Sequence, residues 1–121
     1  MRGLQHFKSN HRWSQYAHLR QAIPRIHEHG AERLLFFGTG GTAPRLIFAD
    51  GPSLNVSLPF VFSAQSAHQR AYHCAPGLWQ LLLCRVLIDR SESTADAGGP
   101  VAYYAGTAAG VYPECIVTYS V

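Results

Sequence analysis

Apolar residues recur every three to four positions between residues 10 and 29. Trp13, Tyr16, Leu19, Ile23 and Ile26 share one helical face, so the spacing predicts an amphipathic helix. Ser9 or Asn10 can cap its start. Pro24 falls inside the pattern and predicts a kink or break, and Gly30 is a natural stop. The pattern then shortens. Arg33 to Phe37 reads as a buried strand, Gly38-Thr39-Gly40-Gly41 as a tight loop, and Thr42 to Ala49 as a short helix with Pro44 in its first turn. Leu54 to Phe62 has strand composition, with Pro59 pointing to an edge or a bulge. Ser63 can cap a helix reaching Tyr72. Leu78 to Ile88 reads as a long buried strand, and Arg90 to Pro100 as a polar loop. Val101 to Tyr104 and Val111 to Val121 read as strands forming a hairpin across Ala105 to Gly110. Alternation in the last strand turns Cys115 and Val117 inward and Thr118 and Ser120 outward. Helices come early and strands late, which predicts α+β rather than a doubly wound parallel sheet.

The chain has 121 residues, 47% of them hydrophobic and 14% charged, which fits a single domain over 1–121 and excludes a disordered chain. The longest nearly apolar run contains Gln80 and Arg85 and is too short for a membrane span. There is no signal-peptide pattern, and Cys74, Cys84 and Cys115 form no even disulfide framework. Together these features predict an intracellular protein. Seven of the ten Lys and Arg fall in residues 1–49 against two Glu. A basic front half attracts phosphates in general, but these residues are spread out, as on a solvated helix face, and form no nucleic-acid patch.

Gly38, Gly40 and Ala43 make a G-x-G-x-x-A string between a strand and a helix, the outline of a dinucleotide fingerprint. That fingerprint also needs an acidic residue about 20 positions on. No Asp or Glu lies between Asp50 and Asp89, so a turn plus a helix start is the better reading. The seven histidines include no i, i+4 pair, so no metal site is predicted. No G-x-S-x-G elbow supports hydrolase chemistry.

Six ordered motifs carry a resemblance. They are Asn10 to Arg20 (N-H-R-W-S-Q-Y-A-H-L-R), Glu32 to Thr39 (E-R-L-L-F-F-G-T), the spacing from Thr39 through Ile47 to Gly51, Phe60 to Ala67 (F-V-F-S-A-Q-S-A), Leu82 to Ile88 (L-L-C-R-V-L-I) and Val111 to Tyr119 (V-Y-P-E-C-I-V-T-Y). In this order they resemble the catalytic domain of the poly(ADP-ribose) polymerase family, especially its mono-ADP-ribosylating branch. The resemblance implies an ADP-ribosyltransferase-like fold, with N-terminal helices packed on two small, largely antiparallel sheets. It implies NAD as co-substrate if the pocket is open, and no metal.

In that family a His bonds a ribose hydroxyl, the following Gly anchors the nicotinamide amide, one Tyr stacks on the nicotinamide, a second Tyr closes the sandwich, and a Glu permits chain elongation. Here the His position is Phe37, the stacking Tyr position is Phe62, and the third position falls near Pro100 or Val101, with no carboxylate between Asp96 and Glu114. Gly38, Thr39, Phe62 and Tyr72 remain as candidate NAD contacts, and Phe37 and Phe62 are expected to face each other across a narrowed cleft. The resemblance therefore implies a degenerate site: a pseudo-transferase acting as a binding or interaction module, with NAD, ADP-ribose or a protein as partner. The alternative is an active mono-ADP-ribosyltransferase of the glycosyltransferase class.

Overall fold

One strand organises the molecule. β5 runs from Leu78 to Ser93, sixteen residues, and four other strands pair with it. The computed structural model describes residues 3–6, 8–23, 31–48, 58–93 and 101–120. Within them the strands are β1 (Gly3–His6), β2 (Glu32–Phe37), β3 (Phe60–Val61), β4 (Tyr72–Ala75), β5, β6 (Val101–Ala105) and β7 (Val111–Ser120). The helices are α1 (Asn10–Gln21), α2 (Arg45–Phe48) and α3 (Ala64–Ala67), and a 3-10 turn follows at His68–Arg70. The architecture is mixed α and β. The strands form one seven-stranded sheet with every pairing antiparallel, not the two small sheets expected.

The reason for one sheet is the length of β5. Its Leu82–Leu87 stretch pairs with β2, its Leu78–Val86 stretch with β7, and its far end, Ile88–Ser93, with β6. β3 then pairs with both β2 and β6. These four pairings close a ring of β2, β3, β6 and β5. All four strands feed the main core: Leu35 and Phe37, Phe60, Leu82 with Cys84 and Val86, and Ala105. Ile47 of α2 joins the same cluster. A register shift between Ile88 and Arg90 marks where β5 changes from β2 to β6.

β6 and β7 are not the hairpin expected. Both run antiparallel to β5, so they point the same way and follow one another along it, with a 3-10 turn at Ala108–Gly110 between them. The expected loop from Arg90 is strand as far as Ser93, because β6 pairs with it. β7 buries Cys115, Ile116 and Val117 together, so no single face is buried there. Two clusters take opposite faces of the sheet. Ile116 enters the main core, while Leu81, which pairs with Val117, packs with Trp79, Tyr119, Ala67 and Ala71.

Ser9 caps α1, its hydroxyl accepting from the Arg12 N–H at 3.2 Å. Tyr16 is fully buried between Trp13 and Tyr112 and donates to Glu32 at 2.5 Å, and Arg20 pairs with the same carboxylate at 3.1 Å. Ser63 caps α3 as expected. That helix ends at Ala67, however, and Tyr72 stands in β4, because the 3-10 turn redirects the chain. Among the described residues no helix is long and apolar enough to cross a membrane. The expectations at Pro24, Ile26, Gly30, Ala49, 51–57 and 94–100 lie outside the described residues.

Candidate functional site

Side chains alternate along β2, so Arg33, Leu35 and Phe37 share one face while Leu34, Phe36 and Gly38 take the other. Phe37 enters the main core, 3% exposed, with its ring 4.6 Å from that of Phe60. Phe36 and Gly38 instead line a cleft of about 340 Å³, together with Pro59, Val61, Ala67 and Arg70. A second cleft of about 400 Å³ shares Val61 and Ser66 with the first. Arg33, Phe62, Val101 and Tyr103 also line it.

The first cleft is tight at its glycine. The Arg70 carbonyl oxygen lies 2.5 Å from where a Cβ on Gly38 would stand. The same carbonyl accepts the Gly40 N–H at 2.8 Å, and Gly40 sits at φ +64°, a region that favours glycine. Thr39 donates its hydroxyl to the Thr42 carbonyl at 2.6 Å. The loop after β2 is therefore tied both to itself and to the 3-10 turn. Each cleft carries one arginine, Arg70 or Arg33, and no Asp or Glu among the described residues. The Arg33 Nε is buried without a hydrogen-bond partner among the described residues, and its guanidinium lies 5.1 Å from the Tyr103 ring centroid.

Of the residues named from sequence, Gly38 lines the first cleft and Phe62 the second. Phe37, Thr39 and Tyr72 line neither. Phe37 and Phe62 do not face each other: Phe62 is 69% exposed, while Phe37 is in the core against Phe60. The period of two along a strand explains this, since Phe37 must point away from the side that Gly38 lines. Pro100 lies outside the described residues, and its neighbour Val101 is half exposed at the second cleft. Sequence reasoning did not single out Arg33, Phe36, Ser66, Arg70 or Tyr103. The alternation Phe36-Phe37-Gly38 was the signal available for Phe36. Arg70 comes to Gly38 through the fold of the 3-10 turn, which no local pattern announces.

No protein-family model matches the sequence, and no curated protein matches it. Among solved structures, the chain is similar to the PARP domain of Arabidopsis RADICAL-INDUCED CELL DEATH1, with a TM-score of 0.73 and 14% sequence identity. The match covers 99% of this chain and 85% of that one. At that identity the likeness speaks to the fold alone: the chain has a PARP-domain-like, ADP-ribosyltransferase-like fold.

Proposed function

We propose that residues 1–121 form one domain that uses an ADP-ribosyltransferase-like fold as a binding module, with a degenerate NAD site, and works inside the cell. The observation that carries this reading is the place of Phe37. The resembled family has its ribose-bonding His there, and here a phenylalanine packs into the core at 3% exposure. Phe62, at the stacking position, has no hydroxyl and is exposed on the neighbouring cleft. Val101 brings no carboxylate to the third position. Each lost hydrogen bond to a polar ligand costs about 1–3 kcal/mol, so two or three losses weaken NAD binding roughly 100-fold or more.

One observation favours a second reading, an active mono-ADP-ribosyltransferase. A cleft of about 340 Å³ does open beside Gly38. Transfer of single units is then the expected outcome, because the elongating carboxylate is missing. Calorimetric titration with NAD separates the two readings. The module predicts no saturable heat at millimolar NAD, whereas binding in the micromolar range that is lost when Val61→Trp fills the cleft would favour the transferase.

A further inference from the structure

We infer that the second cleft and the adjoining edge of β2 form a docking site for an extended acidic peptide. This inference rests on the binding-module reading and names the class of partner. Three observations meet here. First, β2 pairs with β3 only at Phe36↔Val61, so its outer edge from Glu32 to Leu35 is unpaired among the described residues. In an antiparallel pair alternate residues turn their N–H and C=O away from the partner strand, so this edge presents backbone donors and acceptors to an added strand. Second, the Arg33 Nε is buried beside this edge with no hydrogen-bond partner among the described residues, and no acid lines the cleft. Third, exposed apolar side chains line the same cleft as Arg33: Phe62 is 69% exposed and Val101 39%.

A strand edge supplies register, an arginine whose Nε has no hydrogen-bond partner among the described residues selects a carboxylate, and exposed Phe62 and Val101 take the apolar residue on the same face, two positions along. Tyr103 beneath the guanidinium limits its freedom and keeps it pre-oriented for a bidentate partner. A basic or uncharged peptide leaves the buried Nε unsatisfied, so selectivity follows from charge as well as from backbone pairing.

The test is fluorescence anisotropy with a short labelled peptide that repeats Glu-Ser-Val-Ser, which sets glutamate and valine two positions apart on one face, and with its glutamine counterpart, titrated with the full chain. The expected result is saturable binding of the glutamate peptide, weakening with salt, and at least tenfold weaker binding of the glutamine peptide. Arg33→Gln should lower affinity for the glutamate peptide about tenfold or more while leaving the glutamine peptide unchanged. Phe62→Ser, at a surface position that does not support the core, should weaken both peptides. Equal binding of the two peptides, or of the glutamate peptide to Arg33→Gln and the parent chain, overturns the proposal. Self-association abolished by Phe62→Ser without any peptide binding overturns it in favour of a second copy of this chain. NAD titrated into the same samples reads the binding-module proposal separately. NAD binding with no peptide binding defeats both readings, and peptide binding together with NAD binding defeats only the first.

Discussion

Replacing Gly38 by alanine tests the junction between β2 and the 3-10 turn. The added Cβ would stand 2.5 Å from the Arg70 carbonyl oxygen and 2.6 Å from the Arg70 carbonyl carbon and Cβ. Favourable non-bonded contacts need about 3.5 Å, so one side must retreat by about 1 Å. The obstacle is backbone rather than the tip of a flexible side chain. It is held by the Ala71 N–H to His68 carbonyl bond at 3.0 Å and by the Gly40 N–H at 2.8 Å. Overpacking of this kind costs about 1–3 kcal/mol, and straining the Gly40–Arg70 bond adds about 0.5–1.5 kcal/mol. Stiffening of the unfolded chain returns about 0.5 kcal/mol, leaving a net loss of about 1–4 kcal/mol. At about 4 °C per kcal/mol for a chain of this size, Tm should fall by about 4–16 °C. Urea melts should show a lower midpoint at unchanged slope. Gly41→Ala is the control, since nothing lies within 4 Å of its added Cβ and its φ is ordinary. If Gly38→Ala stays within about 0.5 kcal/mol of the parent chain, the close approach of the 3-10 turn to β2 does not exist in solution.

Phe37→His should not restore NAD binding; it should destabilise the fold by about 2–4 kcal/mol, because it buries a polar ring beside Phe60, and a gain in NAD affinity by calorimetry would refute the core placement of residue 37. Burial pushes up the Cys84 thiol from its ordinary 9.0, and burial followed by the bond to Glu32 pushes up the Tyr16 phenol from 10.0. Both groups favour the neutral form in the fold, so their stabilisation is complete below those values. It is lost as pH rises through the folded values, at up to about 1.4 kcal/mol per pH unit and group. Urea midpoints should therefore fall above about pH 9, less so in Cys84→Ala, and a flat profile to pH 11 would contradict it. An aromatic disulfide reagent should titrate exposed Cys74 rapidly, and buried Cys84 and Cys115 only after denaturation. Amide exchange should be among the slowest at Val117, which is paired with Leu4 on one side and Leu81 on the other, and fast exchange there would mean that β7 does not hold the centre of the sheet.

Most elements were legible because their causes are local. The Ser9 and Ser63 caps, the apolar run of β2 and the stretch from Leu78 each announce themselves within a few residues. What was not legible depends on partners far along the chain. Nothing between Arg90 and Ser93 looks like a strand; it becomes one because β6 pairs with it. The pairing of β6 and β7 was misread for the same reason: a short Gly-containing connection fits a hairpin, but here both strands line up on β5. At the site, motif order gave Gly38 and Phe62 their places beside clefts. The expected facing of Phe37 and Phe62 failed, because a motif match carries position but not the direction of the side chain. Arg33 was visible as a charge at the head of an apolar run, yet the unpaired backbone edge beside it emerges only when β3 proves to be two residues long.

Incubating the purified chain with NAD labelled in its adenylate phosphate separates a binding module from a transferase. Label on protein and released nicotinamide are then measured together. A binding module gives neither above the level seen with heat-unfolded chain, for the parent sequence and for Phe62→Tyr alike. Label that becomes covalently attached, stoichiometric with nicotinamide release and lost in Val61→Trp, would contradict the binding-module reading.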